Sequence, residues 1–148
     1  MKKSTLILII IIYIASIPII NLFGMNVKLY NEKVNVSYIE CLNETDENCE
    51  VTESNGKKIL KVKFTEKADP VNLTGTMLQL TWRVAPDNAT TKDVTFNIKG
   101  NKSRIEMFKD AEGNETGLIL FSGKAMVDIE IMSTDGSKVY TTVLVWAY

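Results

Sequence analysis

The sequence predicts an all-β protein, an antiparallel β-sandwich preceded by one N-terminal hydrophobic helix. Three observations carry this. An almost purely apolar run extends from Leu6 to Phe23. Past Met25 the chain reads as short segments in which apolar and polar residues alternate, the period of a half-buried strand. Turn residues punctuate those segments at nearly even spacing, and seven or more strands so arranged argue for a sandwich. No segment from 25 to 148 has a helical apolar period.

Between Leu6 and Ile20 the run is interrupted only by Ser16 and Pro18. That is borderline for a span, which needs about 20 residues to cross a hydrocarbon core about 30 Å thick. Lys2 and Lys3 favour a cytoplasmic N-terminus, leaving residues 25–148 outside, and a membrane helix tolerates Pro18. A removed signal peptide is the alternative, although no A-x-A site follows and Leu22-Phe23-Gly24 is bulky where cleavage wants small residues. Ile14-Ala15-Ser16 is a weak substitute. Either reading puts the remainder outside the membrane, and the lack of a nearby Cys excludes a lipoprotein anchor. Residues 1–24 are thus a signal-anchor or signal peptide.

Val27–Tyr30 and Lys33–Cys41 then read as extended. A polar loop surrounds Asp46, and Cys49–Glu53 leads into Asn55-Gly56, the strongest short hairpin signal because both positions tolerate positive φ. The next strand places Leu60, Val62 and Phe64 on one face. Asp69-Pro70 marks a loop. Met77–Ala85 reads as one strand with Leu78, Leu80, Trp82 and Val84 inward, ended by Pro86, which removes a ladder donor. Val94, Phe96 and Ile98 form another inward row. Arg104–Phe108, the polar turn Asp110–Asn114, Gly117–Phe121 and Ala125–Met132 follow, the last with Val127, Ile129 and Ile131 inward. Asp135-Gly136 is a turn, and Val139–Trp146 closes the chain. Apolar residues occupy both faces of this final strand (Val143 and Val145 against Leu144 and Trp146), so it is either central or covered by a partner.

Composition narrows the function. With 17 Lys and Arg against 18 Asp and Glu, and no basic cluster, a nucleic-acid surface is not expected. The chain contains no histidine, which removes Ser-His-Asp and Cys-His nucleophile systems and histidine-bound zinc. Carboxylate-pair, Ser-Lys or calcium chemistry stays open without any motif pointing to it. Cys41 and Cys49 are a candidate disulfide in an extracytoplasmic domain, with two free thiols as the alternative. A bridge closing so short a loop would contribute roughly 2–3 kcal/mol, and the spacing is not the redox-catalytic C-x-x-C.

Three local matches carry a family resemblance. They are Leu78–Thr90, whose strand ends in Pro86-Asp87-Asn88-Ala89-Thr90; Lys92-Asp93-Val94-Thr95-Phe96; and Gly123–Ile129 followed by Thr134-Asp135-Gly136 and a last strand. Residues 59–148 resemble a bacterial immunoglobulin-like domain of group 2, the Big2 type. Phe96 stands where that family commonly has tryptophan, and Ser103–Met107 blurs its next motif. Residues 25–58 have no counterpart in it and are taken as an extended or hairpin N-terminal extension of the sandwich. The resemblance implies an Ig-like sandwich and structural, not catalytic, roles for the matched residues.

Six N-x-S/T sequons occur, at Asn35, Asn43, Asn72, Asn88, Asn101 and Asn114. They are glycan acceptors in one reading and chance products of an Asn- and Thr-rich sequence in the favoured one. Asp110, Glu112 and Asn114 lack the full calcium-loop pattern, so a solvated turn is the favoured reading there. Trp82 is assigned to the core. Trp146, Tyr148 and Tyr140 are candidate interface residues. No catalytic residue, cofactor or metal ligand is assigned. The expectation is a non-catalytic, membrane-anchored surface protein, held by residues 6–23, serving as a structural or interaction subunit with other envelope or surface proteins. Its alternatives are an adhesin for carbohydrate or host protein, built around Tyr38, Tyr140 or Trp146, and an extracytoplasmic accessory or inhibitor acting by β-strand addition.

Overall fold

A computed structural model describes residues 32–148. The expected signal or anchor, residues 1–24, and the expected strand Val27–Tyr30 lie outside the described residues. Among the described residues no helix is long and apolar enough to cross a membrane.

The described residues form ten strands: β1 (Tyr38–Cys41), β2 (Cys49–Ser54), β3 (Lys57–Val62), β4 (Met77–Gln79), β5 (Trp82–Ala85), β6 (Val94–Gly100), β7 (Ile105–Lys109), β8 (Glu115–Phe121), β9 (Ala125–Ser133) and β10 (Tyr140–Ala147), with one 3-10 turn at Lys102–Arg104. One sheet runs β2-β3-β10-β9-β6; β4-β8-β7 and β1-β5 form two smaller ones. All pairs are antiparallel except β3 with β10, which is parallel, a departure from the all-antiparallel expectation.

The hairpin between β2 and β3 turns at Asn55 (φ 53°) and Gly56 (φ 72°), both left-handed as the Asn-Gly signal requires. Alternation along the strands also holds. Leu60 and Val62, Val127, Ile129 and Ile131, and Val143 and Val145 all point inward. They share one core cluster with Ile39, Leu78, Val84, Ile119 and Phe121 from the smaller sheets and with Leu80, between β4 and β5. Trp82 packs against this core with its ring half-buried, edge-on to Phe96 at 5.1 Å and 80°.

One strand expectation changes. Met77–Ala85 is two strands, not one, because its neighbour switches midway. The Leu80 amide still bonds Gly117 O on β8 (2.9 Å), whereas Thr81 O accepts from Leu42 N (2.8 Å). Asn43 fills the break, its Oδ1 accepting from Thr81 N (2.8 Å) and its Nδ2 donating to Gln79 O (2.7 Å). The final strand is central, between β3 and β9, the first of the two placements that its two-faced pattern left open.

Lys33–Tyr148 is one compact unit, with β1 and β2 of the N-terminal extension paired into the sheets. The segment before β1 is tied down by side chains. Val34 N donates to Thr90 Oγ1 (2.9 Å), Val36 N to Asp135 Oδ2 (2.5 Å), and Lys33 Nζ to Asp135 O (2.6 Å). The chain therefore arrives at the β9–β10 turn. Its C-terminus lies at the other end of β10, where Tyr148 N bonds Val62 O (3.1 Å).

Candidate functional site

Because Val143 and Val145 point inward, Tyr140, Leu144 and Trp146 point out from the five-stranded sheet. Register then assembles an outward row across four strands: Glu50 opposite Lys61, Lys61 beside Trp146, and Trp146 opposite Met126. Lys61 Nζ pairs with Glu50 at 3.1 Å. Tyr148 joins Trp146, with ring centroids 5.6 Å apart and planes tilted by 54°. Met126, Trp146 and Tyr148 are 53%, 37% and 43% exposed, a cluster of large apolar side chains facing water at the end of the sheet opposite the β9–β10 turn.

The structure thus brings together two of the three predicted interface aromatics. Tyr140 is exposed as well, but six residues along β10 separate it from Trp146, about 20 Å at strand rise. Met126 belongs to the cluster and escaped the sequence reading. Its signal was an apolar residue on the polar side of the alternation, in line with Asp128 and Glu130. Tyr38 is exposed on β1, paired opposite Ala85, and is not part of this row.

Cys41 and Cys49 are both buried free thiols in the structure. Burial raises both thiol pKa values, that of Cys49 to about 11, so neither is primed as a nucleophile. Cys41 Sγ donates to Asn43 Oδ1 (3.3 Å). The loop between them is ordered by Asp46, whose Oδ1 accepts from Asn48 N (2.7 Å) and Cys49 N (2.8 Å). Lys58 Nζ donates to Cys41 O (2.6 Å) and Asn43 O (3.1 Å).

The sequons differ in availability. The Asn43 amide is engaged on both sides in the β4–β5 break, whereas Asn35 and Asn88 are exposed. In the Asp110–Asn114 turn the Asn114 amides donate to the Asp110 carboxylate, from N at 2.7 Å and from Nδ2 at 3.2 Å. Those bonds hold the Asp110 pKa below the usual carboxylate range. Among the described residues no group of three His, Cys, Asp or Glu side chains is placed to hold a metal ion.

Asp135 is the functional-looking group that the sequence reading treated only as a turn residue. Its carboxylate is buried and accepts from Val36 N and from Ser137 N (2.8 Å). Hydrogen bonds from Ser137 and then Val36 depress its pKa strongly. It acts as a clasp on the arriving chain. No protein-family model and no curated protein sequence matches the chain.

Proposed function

We propose that this is a non-catalytic, membrane-anchored surface protein whose Ig-like sandwich serves as a structural or interaction subunit of an envelope or surface assembly. The observation that carries the reading is the exposed Met126–Trp146–Tyr148 cluster, on an outward strand row where polar residues would otherwise be expected. Contiguous apolar exposure rimmed by charge is characteristic of interaction surfaces, and Trp and Tyr are enriched in them.

Strand order supports the Ig-like part. The β6-β9-β10 order corresponds to C-F-G, and β5/β4-β8-β7 to B-E-D, with β1 where an A strand would pair. The Big2 resemblance of residues 59–148 fits the same assignment. Fold alone names no partner, since sandwiches of this kind host many roles.

The adhesin reading draws on the same cluster, because a Trp146–Tyr148 pair offers faces on which a sugar can stack. Placement outside the membrane would also expose Cys41 and Cys49 to oxidation. The test is purification of the full chain from its native membrane in mild detergent, read by stoichiometry. The expected result is a companion in fixed ratio that is lost in Trp146→Ala while folding is retained. A lone monomer refutes the assembly reading and leaves glycan and host-surface binding to be screened.

A further inference from the structure

The outer strand β6 has its hydrogen-bonding groups divided by parity. Thr134 N bonds Asp93 O at 3.1 Å, so the odd-numbered residues of this stretch turn their main chain toward β9. In an antiparallel ladder the alternate residues then turn theirs outward, which leaves Val94, Phe96, Ile98 and Gly100 presenting amide and carbonyl groups away from the sheet. One of these groups is occupied: Phe96 N donates to Glu115 Oε2 at 2.9 Å. Glu115 comes from β8, in the other layer, so this bond reaches across the open side of the fold.

Two hollows follow that side. One, about 840 Å³, is bordered by Trp82, Phe96 and Glu115. The other, about 540 Å³, is bordered by Ile98, Met107 and again Glu115. Because they share Lys109 and Glu115, they form one trough beside β6. Among the described hydrogen bonds, no protein group other than Glu115 bonds the outward main chain of β6.

We propose that this edge is a self-association site, in which two copies pair their β6 strands antiparallel about a two-fold axis at Phe96 and Glu115 is the plug that must swing aside. The strand is self-complementary in that register and only even-numbered residues face the partner, as the ladder requires. Val94 meets Ile98 of the second copy, and Phe96 meets Phe96, so apolar side chains meet on the inner face. On the outer face Thr95 meets Asn97, and Lys99 meets Asp93. Both charged residues are exposed, and the pair occurs twice by symmetry. Lys99 already pairs with Glu130 of its own chain, which holds its ammonium on the outer face. Cross-strand pairs of these kinds are the unit of sheet stabilisation. An isologous contact of this type closes at two copies.

Glu115 gives the device its restraint. It covers the amide at the axis, and pairing would bring two carboxylates together there. Capping an exposed edge with a charged side chain is a recognised way to prevent uncontrolled strand pairing.

The test uses the full-length chain in mild detergent, as an equal mixture of unlabelled and 15N-labelled protein treated with a zero-length carbodiimide. The expected product is a mixed-isotope peptide joining Asp93 to Lys99, a link that association through the hydrophobic segment would not make. Glu115→Ala should raise its yield and tighten the dimer roughly tenfold, and adding Asp93→Lys should loosen that dimer by a similar factor. Glu115→Gln, which keeps size and an acceptor while removing the charge at the axis, serves if the alanine variant fails to fold. No mixed Asp93–Lys99 link in wild type and either Glu115 variant overturns the proposal. A dimer indifferent to Asp93→Lys overturns the register.

Discussion

Gly117→Ala isolates one packing constraint and predicts its size. Gly117 sits on β8 at φ +75°, and a Cβ there would lie 2.7 Å from Trp82 Cζ3, 3.2 Å from Trp82 Cη2 and 3.2 Å from Gln79 Nε2. Carbon atoms rest at about 3.5–4.0 Å, so the indole would have to retreat by close to 1 Å, although Phe96 holds it edge-on. The hairpin provides a matched control. Gly56 has nearly the same φ, +72°, with nothing within 4 Å of the added Cβ. Gly56→Ala should therefore show the backbone cost alone, about 1–2 kcal/mol. Gly117→Ala should add an overpacking cost of about 1–3 kcal/mol, for a total of about 2–5 kcal/mol.

Trp82→Ala by itself should cost about 3 kcal/mol, the low end for a large aromatic because the ring is only half-buried. In that background the overpacking disappears, and Gly117→Ala should fall back to about 1–2 kcal/mol. The coupling is then about 1–3 kcal/mol. Guanidinium unfolding followed by far-UV circular dichroism measures all five proteins with one probe that does not depend on tryptophan. A constant m-value confirms that the folded and unfolded states are comparable. The reasoning fails if the two mutations add, or if Gly117→Ala costs no more than Gly56→Ala.

Two further expectations follow from titrating groups. Asp135 has a folded pKa below the ordinary carboxylate value, about 3.9, because Ser137 and Val36 donate to its charged form. The stabilisation is therefore present above about pH 4 and lost as pH falls through the depressed folded value. Melting temperature measured from neutral to acid pH should show Asp135→Asn less stable at neutrality and less sensitive to acid; parallel curves would remove the clasp. With burial raising both thiol pKa values, Cys49 to about 11, reduced folded protein should resist iodoacetamide at pH 8 and take up two equivalents once denatured. Rapid labelling of the folded form would contradict the burial. Denatured but unreduced protein that takes up none would reveal a Cys41–Cys49 bridge.

Local chemistry alone determined much of the strand content. Alternation assigned inward rows such as Leu60–Val62 and Val127–Ile129–Ile131, and Asn55-Gly56 announced its turn, because strand faces and left-handed turns depend on residues within a few positions of one another. Trp146 and Tyr148, two residues apart, were legible as neighbours for the same reason. Tyr140 was grouped with them only because distance along a strand is not visible until the strand is known to be straight.

Pairing between distant segments was decided by the tertiary structure. The parallel contact of β3 with β10, the break at Leu80–Thr81 and the arrival of Met126 beside Trp146 all depend on register between segments far apart in sequence. Register is set by the whole core closing at once. Asp135 and Glu115 show the same limit from the polar side. Each is an ordinary acidic residue in a turn or at a strand end. Each gains its role only when folding brings to it an amide donor from elsewhere, Val36 N in one case and Phe96 N in the other.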